Sequence, residues 1–382
     1  MLFLTFLCRR MLCAGFLPGG FMKKVLLTGG GTAGHVTPNI ALMPYLESMG
    51  FEISYMGSYN GVEKSLIEGL GIEYTGIDSG KLRRYLSLQN LKDPFHVYRG
   101  FREADRYMKA ASVDVVFSKG GFVAVPVVYA AHKNHIPVII HESDLSPGLA
   151  NKLCIGKADM VCYSFPETGK LLEKAPNKMC TGLPVRDLLL SGSRKKGLEF
   201  CGFSDDKPVL MSIGGSLGSV RVNEAVRASL PMLLEKFNVI HLCGKGKVDE
   251  SINRPGYVQY EYINEELPDL YAAADIMISR AGSNVIHEIV SLKKPSVLIP
   301  LDLNASRGDQ IENAQSFKNQ GFCEILREAD LTEASLYETA EQVYENRTSY
   351  IEAMSSSHQA NSAKNIAKLI ASMVKEPNGS TD

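Results

Sequence analysis

Two glycine-rich stretches decide the fold: Val25-Leu26-Leu27-Thr28-Gly29-Gly30-Gly31-Thr32-Ala33-Gly34-His35 and Val209-Leu210-Met211-Ser212-Ile213-Gly214-Gly215-Ser216-Leu217-Gly218-Ser219. In each, an apolar strand feeds a turn that opens a helix, so backbone N–H groups and the positive end of the helix dipole can hold an anion. Glycine is needed because a Cβ would block close approach of a phosphate or sugar. Two such units predict two nucleotide-type α/β domains that face each other across a cleft.

Short apolar strands alternate with amphipathic helices along the chain, which predicts βαβ units and parallel sheets. The predicted strands cover residues 25–27, 53–56, 113–117, 138–141, 160–163, 209–213, 239–243, 258–262, 276–279 and 296–300. A helix is predicted over 38–49, because proline is favoured at a helix start, where its missing N–H costs nothing.

The domain plan follows from this alternation and from a joint near residues 182–186. We predict an N-terminal Rossmann-like domain over 22–184 and a C-terminal one over 185–357. A helix over 358–375 is expected to pack back on the N-terminal domain, and a polar tail over 376–382 is expected to fray.

Composition excludes several classes of protein. The chain has 382 residues, 45% of them hydrophobic, and a net charge of −1. It can bury two ordinary cores and lacks the basic balance of a nucleic-acid binder. The eight cysteines are scattered without a CxxC pair, so we expect reduced core residues of a cytosolic protein, not metal ligands. No apolar run reaches the ~20 residues that span a bilayer.

Residues 1–21 are apolar first and basic afterwards, the reverse of a signal peptide. Met22-Lys23-Lys24 then leads directly into the first strand. We expect residues 1–21 to be a non-native or disordered extension that is dispensable for folding and activity, with a membrane-touching arm as the alternative.

The first turn matches the dinucleotide fingerprint at Gly29, Gly31 and Gly34. A dehydrogenase would also carry an acid at the end of the second strand to hold the ribose. That strand ends Tyr55-Met56-Gly57-Ser58 without one, which argues against a dehydrogenase.

Four further segments carry turn or helix-start signals: residues 118–126, 141–148, 278–288 and 306–314. The first two follow predicted strands, where open α/β sheets bind ligands, the third runs from a strand through a turn into a helix, and the fourth opens another helix. In the third, Glu288 lies one turn into a helix and could accept bonds from two ribose hydroxyls. Ordinary turn chemistry, with Ser283 as a helix cap, is the alternative reading.

Together these segments resemble the MurG family of bacterial peptidoglycan glycosyltransferases. The matching runs, in the family's order, are GGGTAGHVTPN, KGGFVAVP, HESDLSPGLANK, TGLPVR, GGSLGS, SRAGSNVIHE and SRGDQIENA. The resemblance implies the GT-B fold, an α/β architecture of two Rossmann-like parallel-sheet domains facing across a cleft. It implies inverting transfer of N-acetylglucosamine from UDP-N-acetylglucosamine to lipid I, giving lipid II. It also implies that the chemistry needs no metal or cofactor.

The resemblance further implies a substrate-binding set drawn from both domains: Thr32, Ala33, Gly34, Asp144, Arg186, Ser216, Ile263, Arg280, Ser283, Asn284, Val285, Ile286, Glu288, Gln310 and Asn313. Within it, Arg186 and Ser216 would bind the diphosphate region, Ile263 the uracil and Glu288 the ribose.

The resemblance implies contacts with the donor sugar from both domains. Thr32, Ala33 and Gly34 would lie by the donor sugar and diphosphate, and Gln310 and Asn313 would face sugar hydroxyls. Asp144 replaces an asparagine, and Asp309 stands where some members have a second glutamine. The sugar contacts at these two positions therefore stay open.

An inverting transfer needs a base for the acceptor hydroxyl, and His35 is the first candidate. It lies at the mouth of the first turn, and an ordinary imidazole pKa of ~6.5 leaves it mostly neutral near pH 7. Its alternative role is to position a phosphate or a hydroxyl. Glu142 and Asp144 are the rival bases.

Residues 81–109 interleave cations with apolar and aromatic side chains, as on a protein surface that binds an anionic membrane. The predicted membrane contacts are Arg83, Arg84, Tyr85, Leu86 and Phe95, and the alternative is a solvated amphipathic helix. The resemblance implies a peripheral enzyme on the cytoplasmic face of the bacterial membrane. The inner leaflet and cell-wall synthesis proteins are its expected partners.

Three other functions stay open from the sequence: a nucleotide-sugar epimerase, a transferase that uses another lipid acceptor, and a non-catalytic sensor of UDP-sugars. Release of UDP only in the presence of lipid I separates the expected transfer from all three.

Overall fold

A computed structural model describes residues 22–80, 93–215, 218–303, 308–357 and 361–374. Within these ranges the chain forms two α/β domains, each built on a fully parallel sheet. The N-terminal sheet has the strand order β3-β2-β1-β4-β5-β6-β7. Its strands are β1 (Lys23–Thr28), β2 (Phe51–Ser58), β3 (Glu73–Ile77), β4 (Val115–Ser118), β5 (Val138–Glu142), β6 (Met160–Tyr163) and β7 (Lys178–Cys180).

The C-terminal sheet has the order β10-β9-β8-β11-β12-β13. Its strands are β8 (Val209–Ile213), β9 (Asn238–Leu242), β10 (Tyr257–Tyr260), β11 (Ile276–Ser279), β12 (Ser296–Leu298) and β13 (Cys323–Ile325). The strand order reverses beside β1 in one sheet and beside β8 in the other, and each reversal lies at a glycine-rich turn. Open α/β sheets bind ligands at such points.

Helices cover both faces of the sheets. They are α1 (Thr37–Ser48), α2 (Val62–Glu68), α3 (Asp93–Ala111), α4 (Ala124–Lys133), α5 (Leu149–Cys154), α6 (Arg194–Cys201), α7 (Val220–Lys236), α8 (Leu267–Ala273), α9 (Ser283–Ser291), α10 (Asp309–Asn319), α11 (Glu333–Glu345), α12 (Arg347–Ser355) and α13 (Ser362–Met373).

Strand β1 shows why these sequences form a central parallel sheet. Val25 pairs in register with Ile53 on one side and Val115 on the other. Leu26 packs into the core on one face of the sheet and Leu27 into the core on the opposite face. A strand covered on both faces needs a continuous apolar run, and this one has it.

The sequence predicted the central strands, each to within two residues at either end, and helix α1 to within one. It missed β3, β7 and β13. Strands β7 and β13 have only three residues, and all those of β7 are exposed. Strand β3 begins with an exposed glutamate and has one buried residue, Ile77. All three lie at sheet edges. An edge strand has a neighbouring strand on one side only and is less buried, so its sequence lacks the apolar run that identifies a central strand.

Helix α13 packs against the N-terminal domain, although it follows the C-terminal domain in sequence. Ile366, Ala367 and Ile370 are fully buried in one core with Leu42 and Leu46 of α1. The chain therefore passes from one domain to the other twice.

The cysteines of the described ranges are free thiols, and all but one are buried. Cys180 is exposed, so the expectation of core cysteines is wrong there, because it lies on the edge strand β7. The described residues contain no group of three or more His, Cys, Asp and Glu side chains placed to hold a metal ion. Among the helices of the described ranges, none combines the length and apolar character needed to cross a bilayer.

Replacing Ile366 by Ala tests the contribution of α13. Ile366 is fully buried, so the cavity should lower the free energy of unfolding by about 2–5 kcal/mol. Chemical denaturation followed by circular dichroism measures this loss. Lys368→Ala, on the exposed face of the same helix, is the matched control and should change stability little. Equal stability of the two variants would contradict the packing role of α13.

Candidate active site

The carboxyl ends of the two sheets face each other, and polar segments from both domains meet between them. The Ser283 hydroxyl donates to the carbonyl of Ser143 (2.6 Å), and the Asn284 amide donates to the carbonyl of Gly34 (3.1 Å). The first turn of α9 in the C-terminal domain thus contacts two loops of the N-terminal domain. These contacts mark the floor of the cleft.

The first glycine-rich turn is held from below by a carboxylate that sequence reasoning missed. Glu63 is fully buried, and its Oε2 accepts a bond from the Gly31 N–H (3.1 Å). Its Oε1 accepts from the Ser58 N–H (3.0 Å). A Cβ on Gly30 would lie 2.4 Å from Glu63 Oε1, so a larger residue at this position would have to displace the carboxylate. The signal in the sequence was a lone acid in the first turn of α2, which looks like an ordinary helix-start glutamate.

The turn after β4 packs directly on the first turn. A Cβ on Gly121 would lie 2.3 Å from the carbonyl oxygen of Gly30, and Gly121 has a φ of +83°. Glycine is therefore required at this position by both space and conformation. The turns after β1 and β4 therefore pack as one unit at the carboxyl edge of the N-terminal sheet.

His35 lies where the sequence places it, at the end of a short 3-10 helix, Ala33–His35, that opens into the cleft. Its ring is half-buried, and Thr32 just before it is exposed. Because the Gly34 carbonyl is bonded to Asn284, His35 is carried on a segment fixed to the opposite domain.

The Glu142 carboxylate is surrounded by hydrogen-bond donors and is not free to act as a base. Its Oε1 accepts from the N–H groups of Ser143 (2.8 Å) and Asp144 (3.0 Å). Its Oε2 accepts from the Gly148 N–H (2.9 Å) and the Asn151 amide (2.8 Å). Since both oxygens of this buried carboxylate are engaged, the geometry gives Glu142 a positioning role in place of the proton transfer considered from the sequence.

Asn313 departs from its expected place. Its side chain is fully buried and joins the two domains: Nδ2 donates to Asp144 Oδ1 (3.0 Å), and Oδ1 accepts from the Leu145 N–H (3.0 Å). Gln310, one turn earlier, accepts from the Leu301 N–H (3.1 Å). The Asn313 amide therefore joins the two domains in this conformation and does not face an open sugar pocket, whereas Gln310 is half-buried and its sugar contact stays a prediction.

Arg186 and Glu288 are brought together as neighbours. Arg186 Nη2 lies 4.0 Å from Glu288 Oε1, and the Tyr271 hydroxyl donates to Glu288 Oε2 (3.2 Å). Burial raises the pKa of Glu288, and the Arg186 charge and the Tyr271 bond oppose that rise. Of the neighbouring positions on α9, Val285 is half-buried and Ile286 is buried in the core.

Arg280 does not line the cleft as expected. It is only 7% exposed, and its guanidinium donates to Ser219 Oγ (2.6 Å), to Glu328 Oε1 (2.5 Å) and to the Ile299 carbonyl (3.1 Å). These bonds tie the end of β11 to the start of α7 and to the β12 edge. An unpaired buried guanidinium is costly, and these partners remove that cost. Arg280 therefore stabilises the C-terminal domain by joining its elements.

The remaining sequence predictions are only partly covered by the structure. Ser216 lies outside the described residues, and so do Arg83, Arg84, Tyr85 and Leu86. Ile263 is half-buried in the loop after β10 and packs on the C-terminal core.

Phe95 is 77% exposed on α3, beside an apolar groove of about 490 Å³. The groove lies between α3, α4 and α5, and its lining residues are Pro94, Val97, Tyr98, Phe101, Val125, Pro126, Tyr129 and Leu153. Two cations lie over its aromatic rings: Lys133 above Phe101 (5.3 Å to the ring centre) and Lys157 above Tyr129 (6.0 Å).

Comparison with known proteins places this architecture in a class. Residues 25–163 match the glycosyltransferase family 28 N-terminal domain, and residues 209–370 match the family 28 C-terminal domain. In structure, the chain is similar to MurG of Acinetobacter baumannii, with a TM-score of 0.72, 28% identity and coverage of 92% of this chain and 99% of that one. It also shares its fold with the calicheamicin glycosyltransferase CalG4 (TM-score 0.67, 14% identity, 94% and 100% covered). The fold and site therefore define a two-domain GT-B glycosyltransferase.

Curated relatives narrow the class further. A protein of Lachnoclostridium phytofermentans is 58% identical over 350 residues, which cover 91% of this chain and 98% of the relative. One of Lachnospira eligens is 56% identical, with 91% and 99% covered. Both are named UDP-N-acetylglucosamine--N-acetylmuramyl-(pentapeptide) pyrophosphoryl-undecaprenol N-acetylglucosamine transferase. The chain belongs to the MurG family.

Proposed function

We propose that this chain transfers N-acetylglucosamine from UDP-N-acetylglucosamine to undecaprenyl-pyrophosphoryl-N-acetylmuramoyl-pentapeptide, converting lipid I to lipid II in peptidoglycan synthesis. The observation that carries the proposal is the contact of α9 with the N-terminal domain across the cleft: Asn284 donates to the Gly34 carbonyl beside His35, and Ser283 donates to the Ser143 carbonyl. It occurs in a chain 58% identical to a relative named for this reaction. An inverting transferase needs this pairing of a donor site and an acceptor site.

The donor side is formed by the C-terminal domain. The positive end of α9 points its first N–H groups into the cleft and suits a diphosphate. Arg186 adds a cation there, and Glu288, one turn further on, accepts bonds from the ribose hydroxyls. The departing UDP is stabilised by these fixed charges, so the proposed chemistry uses no cofactor.

The acceptor side is formed by the N-terminal domain. His35 takes the proton from the acceptor hydroxyl as the hydroxyl attacks the sugar carbon. Glu63 and Glu142 fix the two loops beside His35, which holds the base in one place on the N-terminal domain. Domain closure brings the two reacting groups together and excludes water that would hydrolyse the donor.

The acceptor's lipid explains the groove between α3, α4 and α5. Phe95 and Tyr98 are exposed beside Lys133 and Lys157, an arrangement that suits an anionic bilayer surface. We propose that this face docks peripherally on the cytoplasmic leaflet, where lipid I would reach the cleft.

A donor-release assay with a lipid I analogue tests the reaction as a whole. The expected result is release of UDP only when the analogue is present, with the product carrying N-acetylglucosamine. Conversion of the donor without an acceptor would indicate an epimerase. Binding without any release would indicate a sensor.

Glu288→Ala should weaken UDP binding itself, because the loss of a charge-assisted hydrogen bond costs about 1.5–3 kcal/mol. Titration calorimetry measures this loss. Since burial raises the pKa of Glu288, acidification should weaken UDP binding to the parent enzyme sooner than it would with an ordinary carboxylate. Glu338→Ala, an exposed acid on α11, is the control. Unaltered UDP affinity in Glu288→Ala would show that the ribose assignment is wrong.

His35→Ala should lower kcat by about 10²–10⁴-fold and leave UDP affinity nearly intact, as expected for a general base. His35→Asn retains hydrogen bonding but cannot take the proton, so it should be equally slow and should lack the acidic limb of the kcat profile. His132→Ala, at the exposed end of α4, is the control. If His35→Asn keeps most of the activity, His35 only positions a group, and Asp144 becomes the next candidate.

Phe95→Glu combined with Tyr98→Glu should reduce binding to anionic vesicles by roughly tenfold or more, because two exposed rings that would enter the bilayer are lost and two negative charges are added. Turnover of a short-chain acceptor that needs no membrane should stay near that of the parent. Leu190→Glu, which alters an apolar side chain that is 58% exposed elsewhere on the surface, is the control. Vesicle sedimentation measures the binding of the parent, the double variant and the control. Equal binding of all three would refute the docking face.

A further inference from the structure

Lys119 is a buried cation that the sequence analysis did not single out. It is the first residue after β4, only 1% exposed, and among the largest fully buried side chains. A buried ammonium is expensive unless the surroundings compensate its charge, so its retention at this place calls for a reason.

The contacts of Lys119 link the parts of the cleft floor. Its backbone N–H donates to the Thr28 carbonyl (2.9 Å), which joins it to the end of β1. Its Nζ donates to the Ser143 hydroxyl. The carbonyl of that same Ser143 accepts the Ser283 hydroxyl from α9 (2.6 Å). One lysine, one loop serine and one helix serine thus form a continuous path from the N-terminal sheet to the C-terminal domain.

The negative charge that compensates Lys119 comes from its own domain. The carboxylates of Glu142 and Asp144 attract the ammonium, whereas the first turn of α9 presents the positive end of a helix dipole. Two positive elements therefore converge on the cleft floor, and Ser143 lies between them. By offsetting the negative charge of Glu142 and Asp144, the ammonium of Lys119 reduces the repulsion that an anion held at the first turn of α9 would meet.

We propose that Lys119 is a positioning residue for the transfer reaction: through Ser143 it fixes α9, and its charge favours the donor diphosphate at that helix. It touches no substrate itself, since it is buried beneath the loop. The inference rests on the transferase activity and does not depend on which residue is the base.

The pH dependence of kcat/KM distinguishes a role of the Lys119 charge from a role of its side chain in packing alone. Burial lowers its pKa to about 8. The groups facing it are Glu142, Asp144, the Cys162 thiol, and the imidazoles of His141 and His287.

Burial raises the pKa of Cys162 to about 12, lowers that of His287 to about 4, and lowers that of His141 well below its ordinary value. These three groups therefore keep one protonation state between pH 7 and 9. The ammonium of Lys119 loses its proton within that interval.

The experiment compares Lys119→Met, which keeps the length of the side chain without its charge, with the parent full-length enzyme. The expected result is a fall in kcat/KM for UDP-N-acetylglucosamine of roughly 10- to 100-fold at pH 7, the range for loss of a charged hydrogen bond. The decline of kcat/KM above pH 8 in the parent should be absent from the variant.

Ser143→Ala removes the hydroxyl that binds Nζ and keeps the carbonyl that binds Ser283. It should lower kcat/KM in the same direction, and the double variant should be no worse than Lys119→Met alone. This small change also keeps the test decisive if Lys119→Met does not fold.

Lys294→Met is the matched control. Burial lowers the pKa of Lys294 to about 8 as well, but it donates to the Ala274 carbonyl (2.7 Å) at the amino end of the C-terminal sheet, away from the cleft. It should leave kcat/KM and its alkaline limb unchanged. The proposal is overturned if Lys119→Met keeps the limb or stays within about twofold of the parent, if Lys294→Met loses the limb equally, or if the effects of Lys119→Met and Ser143→Ala simply add.

Discussion

The buried carboxylate of Glu142 is the interaction on which the cleft depends. Four bonds from Ser143, Asp144, Gly148 and Asn151 converge on it, so the loop after β5 has one conformation. That loop then offers its next groups to the other domain: the Ser143 carbonyl to α9, and Asp144 with the Leu145 N–H to Asn313. Without the carboxylate these loop N–H groups would need other partners, and the opposing helices would lose their contact surface.

The two domains use carboxylates in opposite ways. In the N-terminal domain, the carboxylates of Glu63 and Glu142 accept hydrogen bonds from backbone N–H groups, and these bonds fix the conformation of the loops. In the C-terminal domain, the partners of Glu288 among the described residues are the Tyr271 hydroxyl and the Arg186 guanidinium 4.0 Å away, and burial raises the pKa of Glu288. A carboxylate that is costly to bury and incompletely satisfied is suited to binding a ligand, whereas a saturated one is suited to holding shape.

Much of the fold could be predicted from the sequence, and particular strands show why. The strands next to the glycine turns are apolar on both faces, and their run length alone identifies them. The short edge strands β7 and β13 lack that signal.

At the site, the positions of His35, Arg186 and Glu288 follow from local motifs. The burial of Arg280 and Asn313 does not, because their partners Glu328 and Asp144 lie far away in sequence. Glu63 and Lys119 escaped notice for the same reason: a charged residue beside a turn looks like a surface residue until the chain has folded over it.

The return of α13 to the first domain has a consequence for biosynthesis. The N-terminal domain is translated before the C-terminal one, yet Leu42 and Leu46 obtain their partners Ile366 and Ile370 only when α13 leaves the ribosome. During all the intervening synthesis the nascent domain carries an uncovered apolar stripe along α1. Such a stripe is a binding surface for chaperones and a site of premature association between growing chains. Helix α13 thus completes a domain that emerged from the ribosome well before it.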